Sequence, residues 1–68
     1  MDSYYVNKNP QTTGEHEVHK EGCKFMPEER NKLYLGYFSN CRDAVKKAKE
    51  IYTDSDGCYY CIPDCHYK

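Results

Sequence analysis

The sequence has no tryptophan, only two phenylalanines, three prolines and four glycines, and no apolar run near the ~20 residues that span a bilayer. It also lacks an excess of either charge, since ten Lys and Arg stand against eleven Asp and Glu for a formal charge of −1. These absences exclude a membrane-spanning helix and leave no net field to gather phosphates, so free-standing nucleic-acid binding is disfavoured. Residues 1–20 hold no apolar stretch of signal-peptide length, from which a soluble, cytoplasmic protein is expected. There is no repeat, low-complexity tract or linker, and 68 residues allow one domain, 1–68, and not two.

The shortage of apolar bulk has an energetic consequence. A chain this short buries only about 60% of its extended surface, while ordering it costs on the order of 1.5 kcal/mol per residue, so packing alone leaves almost no net stability. Something must staple the fold: disulfides, a metal ion or a partner chain. What the sequence does have is five cysteines and eight tyrosines. A reducing cytosol favours metal ligation over structural disulfides, and an odd cysteine count leaves at least one unpaired in any monomeric disulfide scheme.

The element pattern is α+β. Ser3 to Asn7, with Tyr4, Tyr5 and Val6, reads as a strand that ends at the polar cluster before Pro10. Glu15 to Lys20, read as extended, sets His16 and Val18 on one face and Glu17 and His19 on the other, and can pair with the first strand as a hairpin. Lys32 to Phe38 is the third strand, with Leu33, Leu35 and Tyr37 expected on one side and Tyr34 and Phe38 on the other. Ser39 or Asn40 can cap a helix placed at 40–52, where Cys41, Ala44, Val45, Ala48, Ile51 and Tyr52 form an apolar stripe and Asp43 complements the free N–H groups of the first turn. Thr53 to Gly57 ends the helix as a turn, and Cys58 to Lys68 is too rich in Cys, Pro and Asp for a long regular element. The expected architecture is a three-stranded, largely antiparallel sheet packed on one helix and closed by a zinc site.

Four residues form a set with metal-ligand spacing: His19, Cys23, Cys58 and Cys61. His19 and Cys23 lie four apart around Gly22, and Cys58 and Cys61 make a CxxC directly after Asp56-Gly57, a tight turn that lets two thiolates converge on one ion. Two short pairs separated by a longer body segment suit a closed tetrahedral site. Such a site adds roughly 10–16 kcal/mol in small zinc peptides, far more than the deficit above. Other chemistry finds less support. A thioredoxin-like CxxC opens a helix, and Pro63 stands against that. Haem attachment needs His where Ile62 is, HxxH at residues 16–19 is not the HExxH of zinc proteases, and no phosphate-binding glycine loop is present. The run Cys58, Cys61, Cys65 has no common iron–sulfur spacing.

On the stretch Val6 to Asn9, then Val18, His19 and Cys23, then Asn31 to Leu35, then Phe38, Ser39 and Ala44, then Gly57, Cys58 and Cys61, the sequence resembles the metal-binding domain of the Ada type. As a whole it also resembles a group of short bacterial proteins with the same Cys and His pattern. The resemblance covers about residues 6–61 and implies a small sheet, a helix and a structural zinc role for His19, Cys23, Cys58 and Cys61. In the DNA-repair member of that type, a zinc-bound thiolate at the first ligand position accepts a methyl group. Here that position is His19, so methyl transfer does not carry over.

Cys41, at the expected helix start, is read as a small apolar residue on the buried stripe, with a reactive thiol, a substitute ligand or a partner for Cys65 as alternatives. Cys65 and His66 can replace a ligand or stay free, and His16, of opposite parity to His19, is expected to be solvated. The tyrosines are read first as core and boundary packing, or, where several cluster exposed around the CxxC, as a surface for a protein or ligand partner. The leading expectation is therefore a non-enzymatic zinc-binding module. The alternatives are a thiol-based redox or transfer protein using Cys41 or the Cys58/Cys61 pair, and a nucleic-acid-binding module using Arg42, Lys46, Lys47 and Lys49.

Overall fold

A computed structural model of the chain describes residues 1–68. Strand β1 (Asp2–Asn7) pairs antiparallel with β2 (His16–Lys20), setting Tyr4 opposite Lys20, Tyr5 opposite His19 and Val6 opposite Val18. The expected hairpin is thus present. Strand β3 (Lys32–Phe38), entered through a 3-10 turn at Glu29–Asn31, pairs antiparallel with the other edge of β1. Helix α1 (Cys41–Lys49) follows at once and lays Ala44, Val45 and Ala48 on the sheet.

Two expectations about the sheet are corrected. It has four strands rather than three, in the order β3-β1-β2-β4, and it is mixed: β4 (Ser55–Gly57) pairs parallel with β2, Asp56 opposite Glu17 and Gly57 opposite Val18. A three-residue Ser-Asp-Gly segment has no apolar alternation to announce a strand, and it is recruited by position, where the chain returns from α1 along the free edge of β2. The parity of β3 also changes part way. Between Tyr4 and Tyr5 the partner on β3 moves from Gly36 to Tyr34, so Leu35 is an extra residue at a bulge, and Gly36 takes a φ of 135° that only glycine adopts without strain. After the bulge Phe38, not Tyr37, joins Leu33 and Leu35 against the core, and Tyr37 is exposed.

The helix is shorter than 40–52. Asn40 is the N-cap, its side chain accepting from the Asp43 N–H at 2.9 Å, and the helix ends at Lys49. Beyond it, Tyr52 N–H turns back to the Ala48 carbonyl at 2.7 Å, and its ring stacks on His16, with centroids 3.9 Å apart. That stack carries the chain toward the sheet and leaves Ile51 exposed, off the expected stripe. His16 is correspondingly not solvated: it is half-buried, and its Nδ1 lies 2.9 Å from the Asn7 carbonyl.

The core comprises Tyr4, Val6, Val18, Leu35, Ala44, Val45, Ala48, Cys58, Ile62 and Cys65. Seven of these ten are smaller than leucine, five of them alanine or valine and two cysteine, so the interior is as slight as the composition implies. Of the eight tyrosines Tyr4 is buried and Tyr5 and Tyr52 are half-buried, while the other five are exposed, so core and boundary packing accounts for three of them. The chain end is held by cross-links and hydrogen bonds instead. Cys41 at the start of α1 forms a disulfide with Cys65, in a 3-10 turn at Pro63–Cys65. Cys41 is therefore neither an unpaired apolar residue nor a free thiol, and a structural disulfide exists beside the reduced cysteines. Buried Asp56 accepts from the Tyr67 and Lys68 N–H groups and lies 3.1 Å from His66 Nδ1. No helix is long and apolar enough to cross a membrane.

Candidate metal centre

Three short segments meet at the end of β2. His19 projects from β2 on the face opposite Val18, since side chains alternate along a strand. A turn then brings back Cys23, whose N–H bonds the Lys20 carbonyl at 3.0 Å; Gly22 within it takes a φ of 92°. On the other side, the chain leaving β4 continues along β2 for one more bond, Cys58 N–H to the Val18 carbonyl at 2.9 Å, and then closes a turn through Ile62 N–H to the Cys58 carbonyl at 3.0 Å. That turn holds Cys58 and Cys61 on the same side. With β4 finished, the next β2 donor, Lys20 N–H, is met by Cys61 Sγ at 3.3 Å. A sulfur takes the place of the missing strand carbonyl.

The result is that the donor atoms of His19, Cys23, Cys58 and Cys61 all lie within 4.8 Å of one another. Cys23 Sγ and Cys58 Sγ are 3.9 Å apart, too far for a disulfide. Two sulfurs bound to one zinc at ~2.3 Å and a tetrahedral angle stand about 3.8 Å apart, so this spacing suits a shared ion. Further support comes from hydrogen bonding. His19 is 1% exposed, and its Nδ1 is the one buried side-chain nitrogen or oxygen in the chain without a hydrogen-bond partner. A buried imidazole nitrogen left without a partner is costly, and a metal ion removes that cost. The other ring nitrogen, Nε2, lies 3.7 Å from the Glu17 carboxylate, where a small closure would make the hydrogen bond that outer partners give a ligating histidine.

The electrostatics agree. Burial pushes the His19 imidazole down to about 4, so it is neutral and free to donate a lone pair at pH 7. Burial likewise pushes the Cys58 thiol up, and drives Cys61 up to about 12 against the opposing pull of the Lys20 N–H. The Cys58 and Cys61 sulfurs, in a poorly solvated place, do not ionise on their own account. They become thiolates when a cation arrives to compensate them. Thiols raised in this way differ from the depressed thiol that redox or transfer chemistry at a CxxC uses.

Sequence reasoning named these four side chains, and the structure brings them together. Cys65 and His66 stand apart from them, one in the disulfide and the other bonded to the Gly57 carbonyl at 2.9 Å. What the spacing did not signal is the supporting shell: Glu17 behind His19, the Lys20 N–H on Cys61, and a group of aromatics on the two ligand loops. Phe25 and Tyr60 pack with centroids 4.4 Å apart, Tyr59 meets Tyr60 edge-on at 5.3 Å, and all three are exposed. Tyr60 also lines an open cavity of about 370 Å³, together with Gly22, Cys23, Lys24 and Cys61. No protein-family model matches the chain, and neither a curated protein nor a solved structure matches it.

Proposed function

We propose that this chain is a non-enzymatic zinc-binding module of the Ada-type arrangement, in which His19, Cys23, Cys58 and Cys61 hold one structural ion. The observation that carries the reading is buried His19, its Nδ1 without a hydrogen-bond partner, clustered with three cysteine sulfurs. A Cys3His donor set favours zinc, and four protein donors complete a tetrahedral shell with no position open for substrate. Bound there, zinc supplies charge compensation and a cross-link between β2 and the chain end. Every other feature of the site is the work of the protein: the Glu17 carboxylate stands 3.7 Å behind the imidazole, the Lys20 N–H supports the Cys61 sulfur, and burial keeps the Cys58 and Cys61 thiols protonated while the ion is absent.

The working surface in this reading is the exposed group of Phe25, Tyr59 and Tyr60, whose positions are set by the two ligand loops. Exposed aromatics with a polar tip are the side chains that anchor protein interfaces, so the partner is a protein or a ligand with apolar contact area. In a cytoplasmic setting the Cys41–Cys65 pair is open to reduction while ligation protects the other three sulfurs. Native mass spectrometry of protein prepared without chelator or reductant tests the metal reading directly. The expected neutral mass is the chain plus one zinc less four hydrogens, two lost to the disulfide and two displaced by the dication. A mass equal to the metal-free chain, from protein whose circular dichroism shows it folded, overturns it.

A further inference from the structure

The disulfide and the metal site act on the same short stretch of chain. His19 and Cys23 lie ahead of the loop that Cys41–Cys65 closes, whereas Cys58 and Cys61 lie inside it, so the two cross-links interlock. From Cys58 to Cys65 the chain runs in consecutive turns: Ile62 N–H bonds the Cys58 carbonyl at 3.0 Å, and Cys65 N–H bonds the Ile62 carbonyl at 2.9 Å. The backbone of Cys65 rests on Gly57, where an added Cβ would stand 2.7 Å from the Cys65 carbonyl oxygen. This stretch supplies three of the ten core side chains, Cys58, Ile62 and Cys65. Holding it down therefore keeps nearly a third of the interior in place.

Packing alone leaves almost no net stability in a chain this short, so the staples that are in place decide whether the metal-free molecule is folded. With the disulfide formed, the turn bearing Cys58 and Cys61 stays anchored to α1 after the ion leaves, and an incoming ion meets donors already gathered. With the disulfide open and no ion, no cross-link holds that turn. An ion must then fold the chain as it binds, and the cost of folding is subtracted from its affinity. The bond can also be reached. Cys41 is half-buried, and Cys65 forms part of the wall of a cavity of about 260 Å³ with Arg42, Val45, Lys46, Lys49 and Tyr67. Three cations and no carboxylate on that wall favour a thiolate leaving from Cys65.

We propose that the Cys41–Cys65 bond is a redox gate on the metal site, which keeps the ion while oxidised and yields it to competing ligands when a dithiol reduces the bond. The proposal rests on the zinc reading above. One thiolate of the dithiol attacks Cys41 Sγ, and the S–S electron pair leaves on Cys65 Sγ, which takes up a proton. The second thiol of the reductant then displaces Cys41 from the mixed disulfide, so the dithiol becomes a cyclic disulfide and its two hydrogens end on the two protein thiols. The coupling is reciprocal: bound zinc makes the disulfide harder to reduce by the same factor by which the disulfide tightens zinc.

The test measures zinc affinity by competition with a chromophoric chelator in three samples: oxidised protein, protein reduced with a dithiol that is then removed under nitrogen, and Cys41→Ser/Cys65→Ser, which needs no reductant. Oxidised protein is expected to hold one zinc at least about ten-fold more tightly than the other two, up to a ceiling of roughly 300-fold set by the chain entropy of a loop of this length. Circular dichroism of the metal-free samples is expected to show the oxidised form folded and the other two unfolded, each regaining the folded spectrum with one equivalent of zinc. Equal affinity in oxidised and reduced protein, a reduced metal-free protein as folded as the oxidised one, or a serine variant that holds zinc as tightly as oxidised protein overturns the gate. Oxidised protein that takes up no zinc overturns the metal reading itself, and the gate with it.

Discussion

Filling the metal site should release a definite number of protons, and that number follows from the structure. Zinc is held by thiolates and a neutral imidazole. Burial pushes the Cys58 thiol up and Cys61 up to about 12, so both enter protonated at pH 7, whereas His19, pushed down to about 4, has no proton to give. Two protons therefore leave with these two thiols. Each proton released makes apparent affinity fall ten-fold per pH unit, or about 1.4 kcal/mol. Acidification from pH 7 to pH 6 then costs about 2.7 kcal/mol through these two thiols, roughly a fifth of the ~10–16 kcal/mol such sites supply. Calorimetry in buffers of different ionisation enthalpy counts the protons, and chelator competition between pH 6 and pH 7 gives the slope. Cys61→Ser should remove one proton from the count, and His19→Ala should weaken binding while leaving the count unchanged. Fewer than two protons per zinc, or a slope that Cys61→Ser leaves alone, refutes the assignment. A separate acid effect belongs to metal-free protein. His19 binds its proton at ~6.5 when unfolded and at about 4 when folded, so the stability it contributes is full above ~6.5 and falls by roughly 3 kcal/mol as pH drops through that window.

Replacing both Cys41 and Cys65 with alanine opens a loop of sequence separation 24, which by chain entropy is worth about 3.4 kcal/mol, or roughly 15–25 °C in midpoint for a domain of this size. Zinc content should be unchanged in that variant, and a melting curve that does not move counts against a stabilising disulfide. Gly57→Ala would put a Cβ 2.7 Å from the Cys65 carbonyl oxygen and 2.9 Å from its carbon, both backbone atoms, so urea denaturation should show a loss of at least about 2 kcal/mol. Asp56→Ala removes the acceptor for the Tyr67 and Lys68 N–H groups and the partner of His66, and is expected to cost about 2 kcal/mol and speed proteolysis beyond Cys65.

Much of this molecule could be read from its residues, and the exceptions have physical causes. The β1/β2 hairpin and the start of α1 depend on local signals, the alternation through Tyr4 and Val6 and an Asn-x-x-Asp cap, and local signals survive in a single sequence. The four clustered donors were legible because ligand chemistry restricts both residue type and spacing. Strand β4 was not, because Ser55, Asp56 and Gly57 owe their extended conformation to the free edge of β2 and carry no propensity of their own. The bulge at Leu35 and Gly36 hid for a related reason: one inserted residue reverses every later side chain, and a plain alternation count cannot see it. Tyr4 is buried while Tyr34, Tyr37, Tyr59, Tyr60 and Tyr67 are exposed, a division set by tertiary position rather than by residue type. The Cys41–Cys65 bond needed the tail's path over Gly57, which no spacing rule supplies.

That bulge also bears on how copies of this molecule treat one another in a crowded solution. β3 lies at the outside of the sheet, where a straight strand would offer its free amides and carbonyls as a template for another chain. The inserted Leu35 kinks that margin and breaks the even spacing of its bonding groups, while Lys32 at its head adds a charge that a second copy would have to bury. Deleting one residue there would straighten the border, and the expected penalty is fibrillar or amorphous self-association rather than simple loss of fold.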